Sequence, residues 1–195
     1  MRMNRRYDTC IVTYILVGLN AAFFLISEVM GGSQDQSVML TLGAAYTPYI
    51  MDGQVIRLIT SMFLHFGFPH LMNNMIVLVA LGENLERMLG HVRYLLIYMI
   101  GGIFGNVLSL AADLRTGESS VSAGASGAIF ALLGAIVVLY LFRRDVFRIP
   151  IGRVVFGLVL ALLPGFYTEG IDAVAHVGGL IGGAAMMLLM MRKYR

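Results

Sequence analysis

Ser126 stands between glycines in Gly124-Ala125-Ser126-Gly127, and His176 stands alone in Ala175-His176-Val177-Gly178-Gly179. A serine hydroxyl is a weak nucleophile and needs a base within hydrogen-bond reach. Histidine suits that task because it titrates near neutrality and can take and return a proton. Together the two could attack a carbonyl. The tetrahedral intermediate would then need hydrogen-bond donors aimed at its oxygen. Ser126 at the start of a helix offers its own N–H, left without an intrahelical acceptor and lying at the positive end of the dipole. His70 and Asn74, in His70-Leu71-Met72-Asn73-Asn74, could add side-chain donors. Gly124 would let backbone approach a substrate closely, with Gly127 as the second flanking glycine. Phe130, at i+4 from Ser126, shares its helix face and could pack under the imidazole. No acid is well placed for a triad. Asp172, one helical turn before His176, is expected to be a solvated loop residue. The expected machinery is a dyad.

Each of these residues also has an ordinary reading. Small residues are common at contacts between membrane helices, and that alone would account for Gly124-Ala125-Ser126-Gly127. A lone membrane histidine can be an interhelical hydrogen bond, and Asn74 a polar glue residue. Gly179 and Gly183, at i+3 and i+7 from His176, are expected to be packing residues that bring the last helix close to the helix of Ser126. His65 and His91 are expected to be interfacial and non-catalytic. Cys10 is the one cysteine, so no intrachain disulfide is possible; it reads as a small apolar residue near the start of the first helix. No cluster has metal-ligand spacing and no glycine-rich loop would cradle phosphate, so no metal and no organic cofactor is expected.

The elements that must carry these residues are membrane helices. Of 195 residues, 58% are hydrophobic and only 13% charged, whereas a soluble domain carries about a quarter charged residues. Six apolar spans can be drawn, at roughly 11–30, 69–88, 94–113, 126–142, 153–168 and 173–191. Each is near the ~20 residues that cross ~30 Å of hydrocarbon, the fourth and fifth being short. The segment 31–68 carries turn signals and is too interrupted to span, so it is expected to be an ordered interfacial loop. The fold class is therefore an all-α polytopic membrane protein: a six-helix bundle with a long first loop. It is expected to be one domain over 1–195, with a short segment 1–10 before a six-helix core at 11–191. The basic start followed by an apolar run reads as an uncleaved first span and not a signal peptide, because no small-residue cleavage pattern follows it.

Basic residues set the orientation. With the N-terminus inside, twelve of the fourteen fall in cytoplasmic segments, and only Arg57 and Arg115 fall outside. Spread over four segments, they are topology signals, so the net charge of +3 does not point to a nucleic-acid partner. The same arginines act as depth markers. His70 precedes Arg87 by 17 residues, Ser126 precedes Arg143 by 17, and His176 precedes Arg192 by 16. At about 1.5 Å per residue, all three sit about 24–26 Å above the inner boundary. Asn74 lies one turn below His70 on the same face. Intramembrane polar groups are costly and mark function by default, and here four of them on three spans share one layer near the outer side.

With Arg57-Leu58-Ile59-Thr60 through His70 and Asn74, Gly82-Glu83-Asn84-Leu85-Glu86-Arg87-Met88-Leu89-Gly90, the Ser126 motif and the His176 motif in this order, the chain resembles the rhomboid intramembrane serine proteases over about residues 45–190. That resemblance implies Ser126 as nucleophile, His176 as base, and an oxyanion hole from the Ser126 N–H, His70 and Asn74. It implies structural roles for Glu86 and Gly90, and for Phe130 as the aromatic that supports the histidine. The family's Trp-Arg pair in the first loop is here Ile56-Arg57, and the chain has no tryptophan. The resemblance further implies cleavage of transmembrane protein substrates in or near the outer part of the bilayer. Substrate would enter past the fifth span, with the 166–172 loop as a movable cap; Phe156 and Leu160 are taken as gate residues from their position on that span. Apart from the resemblance, the apolar spans imply a lipid bilayer, the basic residues place both termini in the cytoplasm, and the short chain with inside-basic ends points to a prokaryotic plasma membrane. Two alternatives remain open from sequence: a catalytically silent relative that binds membrane proteins, and a small transporter. The transporter would be expected to show internal symmetry and paired broken helices, and neither is visible.

Overall fold

The computed structural model describes residues 9–143, 152 and 172–192. Eight α-helices lie in these residues: α1 (Ile11–Val29), α2 (Gln36–Leu42), α3 (Thr47–Met51), α4 (Arg57–Thr60), α5 (Phe68–Leu89), α6 (His91–Thr116), α7 (Ser126–Phe142) and α8 (Ala173–Arg192). No strand occurs among the described residues, only an isolated bridge between Ala45 and Ser122. Five of the six expected spans fall on α1, α5, α6, α7 and α8. The fifth, with Phe156, Leu160 and the 166–171 part of the cap, lies outside the described residues, as does most of the N-terminal segment.

The pattern of burial is that of a membrane protein. On α1 the inward stripe is Thr13, Leu16, Asn20, Phe24 and Ser27, while Ile15, Leu19, Leu25 and Ile26 face outward. Polar groups inside and apolar groups outside invert the soluble arrangement, and lipid is the solvent that favours it. Helices α1, α6 and α8 are each long and apolar enough to cross a bilayer. Helix α5 continues from α4 and the 3₁₀ turn Ser61–Phe63 through a 92° bend. Helix α7 is shorter and is buried without a break from Gly127 to Ile136, so it is the central element, apolar all round because it has neighbours all round.

Close backbone contact holds α7 to its neighbours. A Cβ on Gly179 would lie 2.0 Å from the Gly127 carbonyl oxygen, and one on Gly183 would lie 1.9 Å from that of Ala131. Only glycine permits this approach, as expected for packing without a hydrophobic drive between helices. Gly101 meets Ala131 and Gly105 meets Ala175 in the same manner on α6.

The first loop is ordered, as its turn signals require. Asp35 caps α2 by accepting the Ser37 N–H at 2.7 Å, and Gly43 ends it at φ +101°. Arg57 is buried and knits the loop together. Its guanidinium donates to the carbonyls of Leu40 at 2.8 Å and Ala44 at 2.9 Å and to Gln54 Oε1 at 2.8 Å. It also sits over the Tyr49 ring at 4.8 Å. Ile56 is 58% exposed, so the loop is fastened by its neighbour Arg57 and by Tyr49.

Candidate active site

Helices α7 and α8 bring Ser126 and His176 together. His176 Nε2 lies 2.8 Å from Ser126 Oγ, a normal hydrogen-bond length. The imidazole stacks on Phe130, with ring centroids 4.4 Å apart and planes 9° from parallel. The same helix therefore supplies the hydroxyl that the imidazole bonds and the surface on which it rests. The close α7–α8 contact at Gly179 and Gly183 is what makes this reach possible, since a side chain at either position would push the helices apart.

Gly124 has φ +149°, a backbone conformation open to glycine and strained for other residues. A Cβ there would meet the His70 ring at 3.0 Å and Ser126 Oγ at 3.6 Å. His70, Gly124 and Ser126 are thus contiguous. Asn74, one turn further along α5, is 5% exposed. Its Nδ2 is buried and makes no hydrogen bond among the described residues. A buried amide donor left open is costly, and it is the condition expected of a group kept for a transient acceptor.

Ser126 is the first residue of α7, so its N–H has no acceptor within the helix. The loop before it is tied to the first loop at successive points. Ser122 and Ala45 exchange backbone hydrogen bonds of 2.9 Å, the Gly124 N–H donates to the Ser61 carbonyl at 2.9 Å, and the Ala125 N–H donates to His65 Nε2 at 3.4 Å. Asn106 of α6 donates to the Leu58 carbonyl at 2.8 Å and to Ser61 Oγ at 3.0 Å.

Two expectations differ from this arrangement. His65 is not interfacial: it is fully enclosed, under the loop that leads into Ser126 and edge-on to His70 at 5.0 Å between ring centroids. Asp172 is not a solvated acid. It caps α8, accepting the Ala175 N–H at 2.8 Å, and it also accepts from Ser109 and Ser122. His91 pairs with the buried Glu86. Asn106 and Ser61 were not among the sequence candidates. Asn106 carries the same signal as Asn74, an amide in an apolar span, and could have been found by it; Ser61 carries none. Among the described residues, no group of histidine, cysteine or acidic side chains could hold a metal ion.

A family model described as the rhomboid domain matches residues 52–193. The chain is 38% identical to the rhomboid protease GluP of Bacillus subtilis over 172 residues, which is 88% of this chain and 33% of that one. It is 34% identical to YdcA, also of Bacillus subtilis, over 188 residues, covering 94% and 89% of the two. With the rhomboid-type serine protease 2 of Emericella nidulans it shares 36% over 146 residues, 71% of this chain and 27% of that one. The chain thus spans about a third of the first of these relatives, about a quarter of the third and nearly all of YdcA.

Proposed function

The chain belongs to the rhomboid family, and from that premise we propose that it is an intramembrane serine endopeptidase working through Ser126 and His176. The observation that carries this reading is the 2.8 Å contact between His176 Nε2 and Ser126 Oγ on the Phe130 platform. His176 takes the hydroxyl proton as Ser126 Oγ attacks the scissile carbonyl carbon. The carbonyl oxygen becomes an oxyanion that the Ser126 N–H, His70 and Asn74 Nδ2 stabilise. Collapse expels the amine, to which His176 returns the proton, and leaves an acyl-enzyme. Water, activated by the same imidazole, then hydrolyses it. Activity rises with pH as His176 loses its proton, because only the neutral imidazole accepts one.

The substrates proposed are transmembrane segments of other proteins. The polar layer lies toward the end of the spans opposite most of the basic residues, so cleavage falls in the outer part of the bilayer with both termini cytoplasmic. A prokaryotic plasma membrane is the proposed host. Phe156, Leu160 and the 166–172 loop are proposed as gate and cap on position in sequence alone. Gly124, Gly127, Phe130, Gly179 and Gly183 are proposed to support the site.

The test is cleavage of a single-span model substrate in liposomes by folded, monodisperse wild type and Ser126→Ala, with fluorophosphonate labelling alongside. Cleavage and labelling by wild type alone are expected. Cleavage by both proteins would exclude Ser126 as the nucleophile. Neither cleavage nor labelling by folded wild type would favour a silent relative.

A further inference from the structure

We propose that Asp172 is a positioning residue, a carboxylate clip that fixes where His176 meets Ser126. The inference rests on the protease reading above and adds to it a residue that touches neither substrate nor the reacting atoms. The clip joins three elements. Asp172 Oδ1 accepts the Ala175 N–H at 2.8 Å and so caps α8. Its Oδ2 accepts the Ser109 hydroxyl from α6 and, at 3.3 Å, the Ser122 hydroxyl from the nucleophile loop. Its own carbonyl accepts the His176 N–H at 3.2 Å. Ser122 precedes Ser126 by four residues and is itself locked to Ala45 by two backbone hydrogen bonds. One carboxylate therefore ties the first turn of the histidine helix to the loop that carries the serine and to a third helix.

Such a clip has a physical purpose in this packing. The α8 contacts with α6 and α7 include Gly105 against Ala175, Gly127 against Gly179 and Ala131 against Gly183, with the Leu108 and Phe104 side chains of α6 against Gly178 and Gly182. Packing of this kind sets how near the backbones lie more tightly than how far one helix has slid along the other. A dyad tolerates little sliding: a misplacement of about 1 Å can cost about a hundredfold in rate. Directional hydrogen bonds at the end of the helix tighten that register. Asp172 acts through that register and not as a third member of a triad, because both of its oxygens are already engaged by Ser109, Ser122 and Ala175.

The experiment compares wild type, Ser126→Ala, Asp172→Ala, Asp172→Asn and the double variant Ser109→Ala/Ser122→Ala, each as the full chain in liposomes. It reads the rate of fluorophosphonate labelling at Ser126, kcat and KM for the model substrate, and the thermal midpoint. Asp172→Ala is expected to lower labelling and kcat together by about ten- to a hundredfold, with KM little changed. Asp172→Asn is expected to recover most of the loss, because its amide oxygen still caps Ala175 and its amide group can donate to hydroxyls turned to accept. The double serine variant keeps the cap and loses the tether, so labelling falls about tenfold while the thermal midpoint stays close to wild type. It carries the test if Asp172→Ala does not fold. Wild-type labelling with an unaffected double variant would overturn the clip alone. Absence of labelling in folded wild type would overturn the protease reading, and the clip with it.

Discussion

Glu86 caps the first turn of α1 through Thr13, although the two residues are 73 apart in sequence. Its Oε2 accepts the Thr13 N–H at 2.8 Å and the Thr13 hydroxyl at 2.7 Å, and its Oε1 accepts the Val12 N–H at 2.9 Å. The donors are N–H groups of a helix start, which have no partner within the helix, and Cys10 before them provides no side-chain cap. A carboxylate from α5 fills the role that a local Ser or Asp plays elsewhere. His91 holds the same carboxylate from the start of α6. Glu86→Ala strands these donors and is expected to destabilise the fold by about 3 kcal/mol or more, while Glu86→Gln, which keeps an acceptor, costs less. Thermal midpoints in one detergent give the ranking. Equal loss in both variants would show that the cap is not what Glu86 contributes.

Asn74 is expected to separate stability from rate. Its buried Nδ2 has no partner among the described residues, so the resting fold bears the desolvation of an open donor. Asn74→Ala removes that cost along with the side chain, and the thermal midpoint should fall little or rise. The same change removes a proposed oxyanion donor and should lower kcat by about 10²–10³, with KM nearly constant. A variant that loses stability as steeply as activity would mark Asn74 as structural glue.

What could be read from sequence follows from what each signal depends on. Span positions depend on length and apolarity along one segment, and α7 falls on the expected 126–142. The shared depth of Ser126 and His176 depends only on helical rise and on arginines that mark a boundary, so two residues 50 apart were placed in one layer. Contacts that depend on how helices turn toward each other left no such trace. Asp172 looks like a loop acid until Ser109 and Ser122 are seen to face it. His65 looks interfacial until the loop before Ser126 is seen folded over it. Arg57 lies over the Tyr49 ring in the first loop, a pairing that no linear motif encodes.

Gly183 should tolerate no side chain. A Cβ there would stand 1.9 Å from the Ala131 carbonyl oxygen, and backbone cannot yield as a side-chain tip can. Gly183→Ala is expected to destabilise by about 1–3 kcal/mol through overpacking, and Gly183→Val by more. Gly18 on α1 is the control: a Cβ there meets nothing within 4 Å, so Gly18→Ala should leave the thermal midpoint unchanged or raise it. Equal effects at the two positions would mean that helix propensity, not the α7–α8 approach, governs both.

Phe130 tests the platform beneath the proposed base. The imidazole of His176 lies flat on its ring at 4.4 Å, and this face contact limits rotation of the histidine away from Ser126. Phe130→Tyr keeps the ring and is expected to leave kcat within a few-fold. Phe130→Leu keeps apolar bulk but loses the flat surface, and kcat should fall about tenfold or more while KM changes little. Part of any loss could come from a packing defect, which costs about 1 kcal/mol for a near-isosteric swap, so thermal midpoints are read beside the rates. A Leu variant as fast as wild type would show that the α8 backbone and the Ser126 hydrogen bond hold His176 without the stack.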